Sequence, residues 1–189
     1  MILLLDLCYR PGSLSHSEFV SPIRRIVGRA GMNVRVAHYS EADSLPLGIS
    51  GVILCGTALK DNAYLEHQDR FRWIGEITVP VLGICAGMQV LAGLLGGEVI
   101  EAPEIGMTEV AVVKGDLVLG DERTFPAYEL HNFGVTLPPG CSELARSDEC
   151  LQAFLHPEKQ WRGIMFHPEV RNDWVVEGFV KTLNQGKPE

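Results

Sequence analysis

Val79-Pro-Val-Leu-Gly-Ile-Cys-Ala-Gly-Met-Gln89 is the stretch on which the fold of this chain turns. Its first half, Val79 to Ile84, is a short apolar run of the kind that forms a strand covered on both faces. From Ala86 to Leu95 the chain reads as an apolar helix, closed by Gly96 and Gly97. Cys85 therefore falls on the turn between a buried strand and a buried helix, with Gly83 two residues before it and Gly87 two after. A strand that turns this sharply into a helix leaves no room for side chains at those two positions and projects the residue at its apex outward. The amides that open the helix favour negative charge, so the Cys85 thiol is expected to be partly thiolate at neutral pH. The uncharged stretch from Ile77 to Gly97 is also about the length of a bilayer span, but Pro80, Gln89 and five glycines divide it into two shorter buried elements.

Working outward, Ile2-Leu-Leu-Leu-Asp6 reads as another doubly covered strand. Phe19, Val20, Ile23, Ile26, Val27 and Ala30 then recur at helical spacing up to a stop at Gly31. Asn33 to His38 and Gly51 to Cys55 are predicted strands, and Lys60 to Glu76 is predicted to hold a helix. Such βαβα alternation implies right-handed crossovers and an α/β fold: a mostly parallel twisted sheet with helices on both faces. Between Glu98 and Phe166 the pattern changes to short strands separated by turn residues, including Glu109 to Val113, Ala127 to His131 and Trp161 to Phe166. An antiparallel extension of the sheet is expected there. Asp173 to Leu183 reads as a last helix and Gln185 to Glu189 as a loose tail. With no internal repeat or linker, the 189 residues fit a single domain, 1–189.

Composition narrows the function classes. Sixteen Lys and Arg against 24 Asp and Glu leave a net charge of −8, and no basic block offers the electrostatic footprint of a nucleic-acid binder. The five cysteines are odd in number and lack C-x-x-C spacing, which argues against a disulfide framework and a closed zinc site, and suits a reducing cytoplasm. No basic segment precedes the apolar run that ends at Asp6, so the N-terminus does not read as a signal peptide.

A thiol nucleophile needs a base, and the base needs a partner that orients it. Phe166-His167-Pro168-Glu169 supplies both: in an extended segment His167 and Glu169 share a face, and Pro168 stiffens the pair. The remaining candidates read more simply. Cys8 and Cys55 lie at strand ends and are expected to pack, while Cys141 and Cys150 are expected as structural or exposed thiols, a disulfide between them being the alternative. His38, His67 and His156 have no partners at metal-ligand spacing and read as surface residues. His16 reads as a helix start, and Asp6 as a turn cap or a cleft residue.

G-I-C-A-G-M-Q at 83–89, followed about eighty residues on by F-H-P-E at 166–169, resembles the pattern of the class I (triad-type) glutamine amidotransferases, whose fold is flavodoxin-like. Gly51 to Gly56 is similar to the family's oxyanion strand, Leu95 to Val99 to its post-helix turn, and His131-Asn-Phe-Gly-Val135 to its glutamine-binding segment. Within the family, Gly106 to Val110 and the run from His131 to Val170 look most like the glutaminase part of GMP synthases, in the two-chain form found in archaea. The resemblance implies that Cys85 attacks the carboxamide of glutamine, that His167 moves the protons, and that Glu169 orients His167. It implies oxyanion donors at Ala86 and at Gly56 or Thr57, and a glutamine site formed by Gln89 with Leu130, His131, Asn132 and Phe133. No metal and no cofactor are implied for this chain.

Three departures from the family pattern stand out. The oxyanion strand ends Cys55-Gly56-Thr57-Ala58 where relatives usually have G-G-P, the first strand continues as Asp6-Leu-Cys-Tyr-Arg10, and Leu130 stands where many relatives carry a polar residue. The chain also has neither a G-x-x-x-x-G-K-[ST] loop nor an S-G-G-V-D-S string. Any ATP and Mg²⁺ are thus expected in a separate ATP pyrophosphatase or synthetase subunit, for amination of XMP to GMP. Two other readings remain: an amidotransferase or γ-glutamyl hydrolase serving another acceptor, and a catalytically retired binding protein of the same fold.

Overall fold

The structure is a computed structural model that describes residues 1–184, so the tail expected over 185–189 lies outside the described residues. Nine strands form one sheet: β1 (Ile2–Asp6), β2 (Val34–His38), β3 (Gly51–Leu54), β4 (Val81–Ile84), β5 (Val99–Val112), β6 (Arg123–Val135), β7 (Ser142–Arg146), β8 (Leu151–His156) and β9 (Trp161–Ile164). Their spatial order is β2-β1-β3-β4-β9-β8-β7-β5-β6. Every residue of β1, β3 and β4 is buried, as expected for strands covered on both sides. Burial of each Leu, Ile or Val there contributes about 1.5–3 kcal/mol. The helices are α1 (Ser21–Arg29), α2 (Ala63–Glu66), α3 (Ala86–Leu94) and α4 (Trp174–Asn184). Helices α1 and α4 pack together, and α3 packs with a 3₁₀ segment, Gln68–Glu76.

Two expectations need correction. Lys60 to Glu76 holds no single helix: α2 ends at Glu66, and the chain continues as the 3₁₀ segment, which buries Phe71 and Ile74. More consequentially, Trp161–Ile164 is no part of the antiparallel extension alone. It runs parallel to β4, with Ile84 opposite Ile164, and antiparallel to β8, so it is the strand at which the sheet changes direction. The extension itself comprises β5 to β8, with β5 and β6 far longer than the sequence pattern suggested. The segment from Ile77 to Gly97 resolves into β4 and α3, and no helix among the described residues is long and apolar enough to cross a membrane.

The β5–β6 ribbon is the element that completes the site. Pairing with β7 holds it only near Ala111 and Val112. A register shift between Glu101 and Glu104 marks its other half, which reaches α3.

Candidate active site

Parallel pairing of β4 and β9 explains how distant residues meet. Cys85 follows β4 by one residue and His167 follows β9 by three, so both emerge at the carboxyl edge of neighbouring strands, where open α/β sheets form their sites. Cys85 occupies the apex with φ 48° and ψ −104°, a conformation that costs a non-glycine residue about 1–3 kcal/mol. The apex is pinned on both sides: the Cys85 amide donates to the Ile164 carbonyl (2.8 Å), and its own carbonyl accepts from the Gln89 amide (3.1 Å). The flanking glycines are required by contact. A Cβ on Gly83 would lie 2.4 Å from the Gly87 carbonyl oxygen, and one on Gly87 2.3 Å from that of Leu54.

His167 is fully buried, and its Nδ1 lies 2.8 Å from Glu169 Oε1. Its amide donates to the Tyr128 carbonyl, and its ring packs on Phe19 with centroids 5.3 Å apart. Burial pulls the imidazole toward neutrality, but the Glu169 carboxylate and the Cys85 thiol outweigh it and hold the His167 pKa well above the usual histidine value. Nε2 makes no hydrogen bond among the described residues. A Cβ on Gly56 would fall 2.7 Å from His167 Cε1, so glycine there makes room for the ring.

The other sequence-predicted residues gather around Cys85. Its thiol donates to the Leu130 carbonyl at 3.9 Å. The Gln89 carboxamide is held from two directions: Tyr64 Oη donates to its Oε1 (2.6 Å), and its Nε2 donates to the Phe133 carbonyl (2.9 Å). One Gln89 N–H and one lone pair have no partner among the described residues. Asn132 Nδ2 donates to the Leu59 carbonyl (3.3 Å), fastening β6 to the loop after β3. In that loop Thr57 Oγ1 donates to Asp61 Oδ2 (2.7 Å), which also accepts from the Tyr9 amide. Thr57 does not have a positive φ, and neither its amide nor that of Ala86 has an acceptor among the described residues. Thr57, Ala58, Leu59, Asp61, Asn62, Tyr64, Cys85, Gln89 and residues 130–133 line one narrow cleft of only about 10 Å³. A wider basin of about 600 Å³ adjoins it and shares Ala58, Asp61 and Asn62, and another of about 510 Å³ shares Gln89.

The imidazole of His131 is committed elsewhere. Its Nε2 lies 3.2 Å from Glu129 Oε2 and 3.7 Å from Glu104 Oε2, in a buried group that also includes Cys150. Burial raises the pKa of Glu129, against the lowering effect of His131. Among the described residues, Glu104, His131 and Cys150 are those whose donor atoms could together hold a metal ion. All five cysteines are free, so the alternative of a Cys141–Cys150 bridge does not hold. His38 is a further correction: it is buried, with Nε2 2.7 Å from the Cys8 carbonyl and Nδ1 2.7 Å from Ser40 Oγ. His16 opens a helical turn and pairs with Asp6 at 2.7 Å, while Asp6 also caps the Cys8 amide.

Tyr64, Asp61 and the Glu104 group are additions that sequence reasoning misses. Tyr64 belongs to a run read for helical periodicity, and the other residues come from a loop and from strands whose pairing no local pattern discloses. A cysteine elbow beside a histidine–glutamate pair on the next parallel strand defines an α/β protein with a Cys-His-Glu constellation at the carboxyl edge of its sheet. The family model "Glutamine amidotransferase class-I" matches residues 15–174. Curated relatives include a glutamine-hydrolyzing GMP synthase subunit of Sulfolobus acidocaldarius, 41% identical over 58% of this chain and 63% of that protein. The protein of the same name from Methanosarcina barkeri is 34% identical over 82% of this chain and 84% of its own. Among solved structures, a provisionally named GMP synthase subunit from Thermoplasma acidophilum superposes with a TM-score of 0.80 at 26% identity, covering 98% of this chain and 95% of that one. The chain belongs to the class-I glutamine amidotransferase family. Its matches span 63%, 66% and 57% of the first three archaeal relatives.

Proposed function

We propose that the chain is a glutaminase that delivers ammonia to a separate ATP-dependent synthetase subunit, and that the acceptor is XMP, aminated to GMP. The observation that carries this reading is the placement of Cys85 and the His167–Glu169 pair on adjacent parallel strands. The names of the relatives, glutamine-hydrolyzing subunits of GMP synthase, support the acceptor and the partner.

In this reading His167 takes the Cys85 thiol proton as the sulfur attacks the side-chain carbon of glutamine, and the tetrahedral oxyanion is met by the Ala86 amide and an amide of the Gly56–Thr57 turn. Losing one such donor typically costs ~10²–10³ in rate. Collapse expels ammonia, which takes its proton from His167, and leaves a γ-glutamyl thioester. His167 then removes a proton from water as its oxygen attacks the thioester, and returns that proton to the sulfur as glutamate leaves and the thiol is restored. Glu169 holds the ring orientation and stabilises the imidazolium that forms within each step. The free donor and acceptor of Gln89, together with the backbone from Leu130 to Phe133 and with Asn132, hold the amino acid portion of glutamine. These steps call for no cofactor in this chain, with ATP and Mg²⁺ belonging to the partner, and the activity is placed in the cytoplasm, with no role for nucleic acid or membrane.

The test is release of ammonia and glutamate from glutamine by the purified chain, with and without an XMP-dependent ATP pyrophosphatase subunit, beside Cys85→Ala. Turnover that rises with the partner, vanishes in Cys85→Ala and yields GMP supports the whole reading. Turnover that needs Cys85 but ignores the partner leaves a glutaminase or γ-glutamyl hydrolase for another acceptor, a reading favoured by the Gly56-Thr57-Ala58 loop. Absence of turnover in every condition would point to a retired binding protein.

A further inference from the structure

Successive side chains of a strand point to opposite faces, so Glu129 and His131 lie on the face of β6 away from Asn132 and the loop after β3. There they meet Glu104 of β5 and the β7–β8 turn, which contributes Cys150. The local chemistry is unusual for a core. Glu129 is 0% exposed, yet neither of its carboxylate oxygens has a hydrogen-bond partner among the described residues. His131 is 3% exposed, and both ring nitrogens are in the same condition. Buried polar atoms of this kind are costly, and a cluster of them marks a place where a ligand would satisfy some of them.

Geometry and donor type specify the ligand. Cys150 Sγ lies 3.2 Å from Glu104 Oε2, His131 Nε2 3.7 Å from that oxygen and 3.2 Å from Glu129 Oε2, and the donors of Glu104, His131 and Cys150 all fall within 4.8 Å of one another. Metal–ligand bonds of about 2.0–2.3 Å in a tetrahedron place the ligands about 3.3–3.8 Å apart, close to these separations. One sulfur, one imidazole nitrogen and carboxylate oxygens suit zinc and similar divalent transition ions, whereas calcium and magnesium favour all-oxygen sets. Gln152 Nε2 (2.8 Å) and Ser147 Oγ (2.9 Å) both donate to Glu104 Oε2 and fix its orientation, the support that ligating carboxylates usually have. Cys150 is partly exposed and offers the way in.

We propose that Glu104, His131 and Cys150, beside the buried Glu129, form a binding site for a divalent transition ion of the zinc class. The ion fastens the β5–β6 ribbon to the β7–β8 turn. Binding releases the thiol proton of Cys150. The proposal does not rest on the glutaminase reading.

The experiment uses the full chain carrying Cys85→Ala, which removes a competing thiol, reduced and stripped with chelator, then titrated with Co²⁺ and, in competition, with Zn²⁺. The expected result is one equivalent of Co²⁺ with the strong visible bands of a tetrahedral site and a thiolate-to-cobalt charge-transfer band, both erased by Zn²⁺. Cys150→Ser removes the charge-transfer band and weakens Zn²⁺ binding by roughly 100-fold or more, and Glu104→Gln weakens it by roughly tenfold or more. A parent protein that takes up no stoichiometric Co²⁺, or binds it without a thiolate band, overturns the proposal whatever the variants do. Binding that Cys150→Ser leaves unchanged overturns it equally.

Discussion

Replacing Gly56 with alanine tests whether the position of the His167 ring controls the chemistry. The new Cβ would meet His167 Cε1 at 2.7 Å and Nδ1 at 3.2 Å, whereas ordinary contact begins near 3.4 Å, so the ring or the β3 loop must retreat about 0.7 Å. The ring has little freedom to do so, being fully buried, bonded to Glu169 at 2.8 Å and packed on Phe19. A misplacement of about 1 Å in a reacting constellation can cost ~10²-fold in rate. Gly56→Ala should therefore lower kcat by about 10–100-fold, or roughly 1.4–2.7 kcal/mol of transition-state stabilisation. The assay is glutamate formation from glutamine with the synthetase partner present, read beside the rate of Cys85 alkylation by iodoacetamide and a thermal melt. A folded variant with kcat within about threefold of the parent would refute the reasoning, because the imidazole would then tolerate the displacement.

Tyr64→Phe removes one of the two bonds that hold Gln89 and should raise KM for glutamine by about two- to tenfold with little change in kcat, as expected for loss of one hydrogen bond. Steady-state kinetics decides it, and an unchanged KM would show that Tyr64 does not position Gln89. Gly83→Ala and Gly87→Ala drive a methyl into backbone rather than into a yielding side chain, so each should destabilise by about 3 kcal/mol or more in urea unfolding. Cys85→Gly should be more stable than Cys85→Ala by about 1–3 kcal/mol, since it relieves the positive φ at the apex; equal urea midpoints would argue against strain there. His167 is protonated more readily folded than unfolded, so the stability it contributes is fully present below the unfolded value of 6.5 and is lost as pH rises through its raised native pKa. Glu169→Gln should lower that native pKa and flatten this part of the stability–pH curve, which NMR titration of the His167 ring and denaturation across pH would show.

What the sequence determined by itself was local. The strand, the glycine-flanked elbow at Cys85 and the helix after it are written in contiguous residues, because each follows from apolar run length and from the space around Gly83 and Gly87. His167 and Glu169 are legible for the same reason, two residues apart with a stiff proline between them. Tertiary structure alone decided what meets what. Trp161–Ile164 looks like any short strand, and only its pairing with β4 sets His167 beside Cys85. His131 reads as a glutamine-site residue through its backbone, and strand alternation turns its ring to Glu104, Glu129 and Cys150, which come together only when β5, β6 and the β7–β8 turn assemble. Tyr64 and Gln89 meet through the packing of α2 on α3. Local propensity depends on neighbours in the chain, whereas strand order and the face a residue presents are set by which long-range pairing buries the most apolar surface and leaves the fewest backbone groups unpaired.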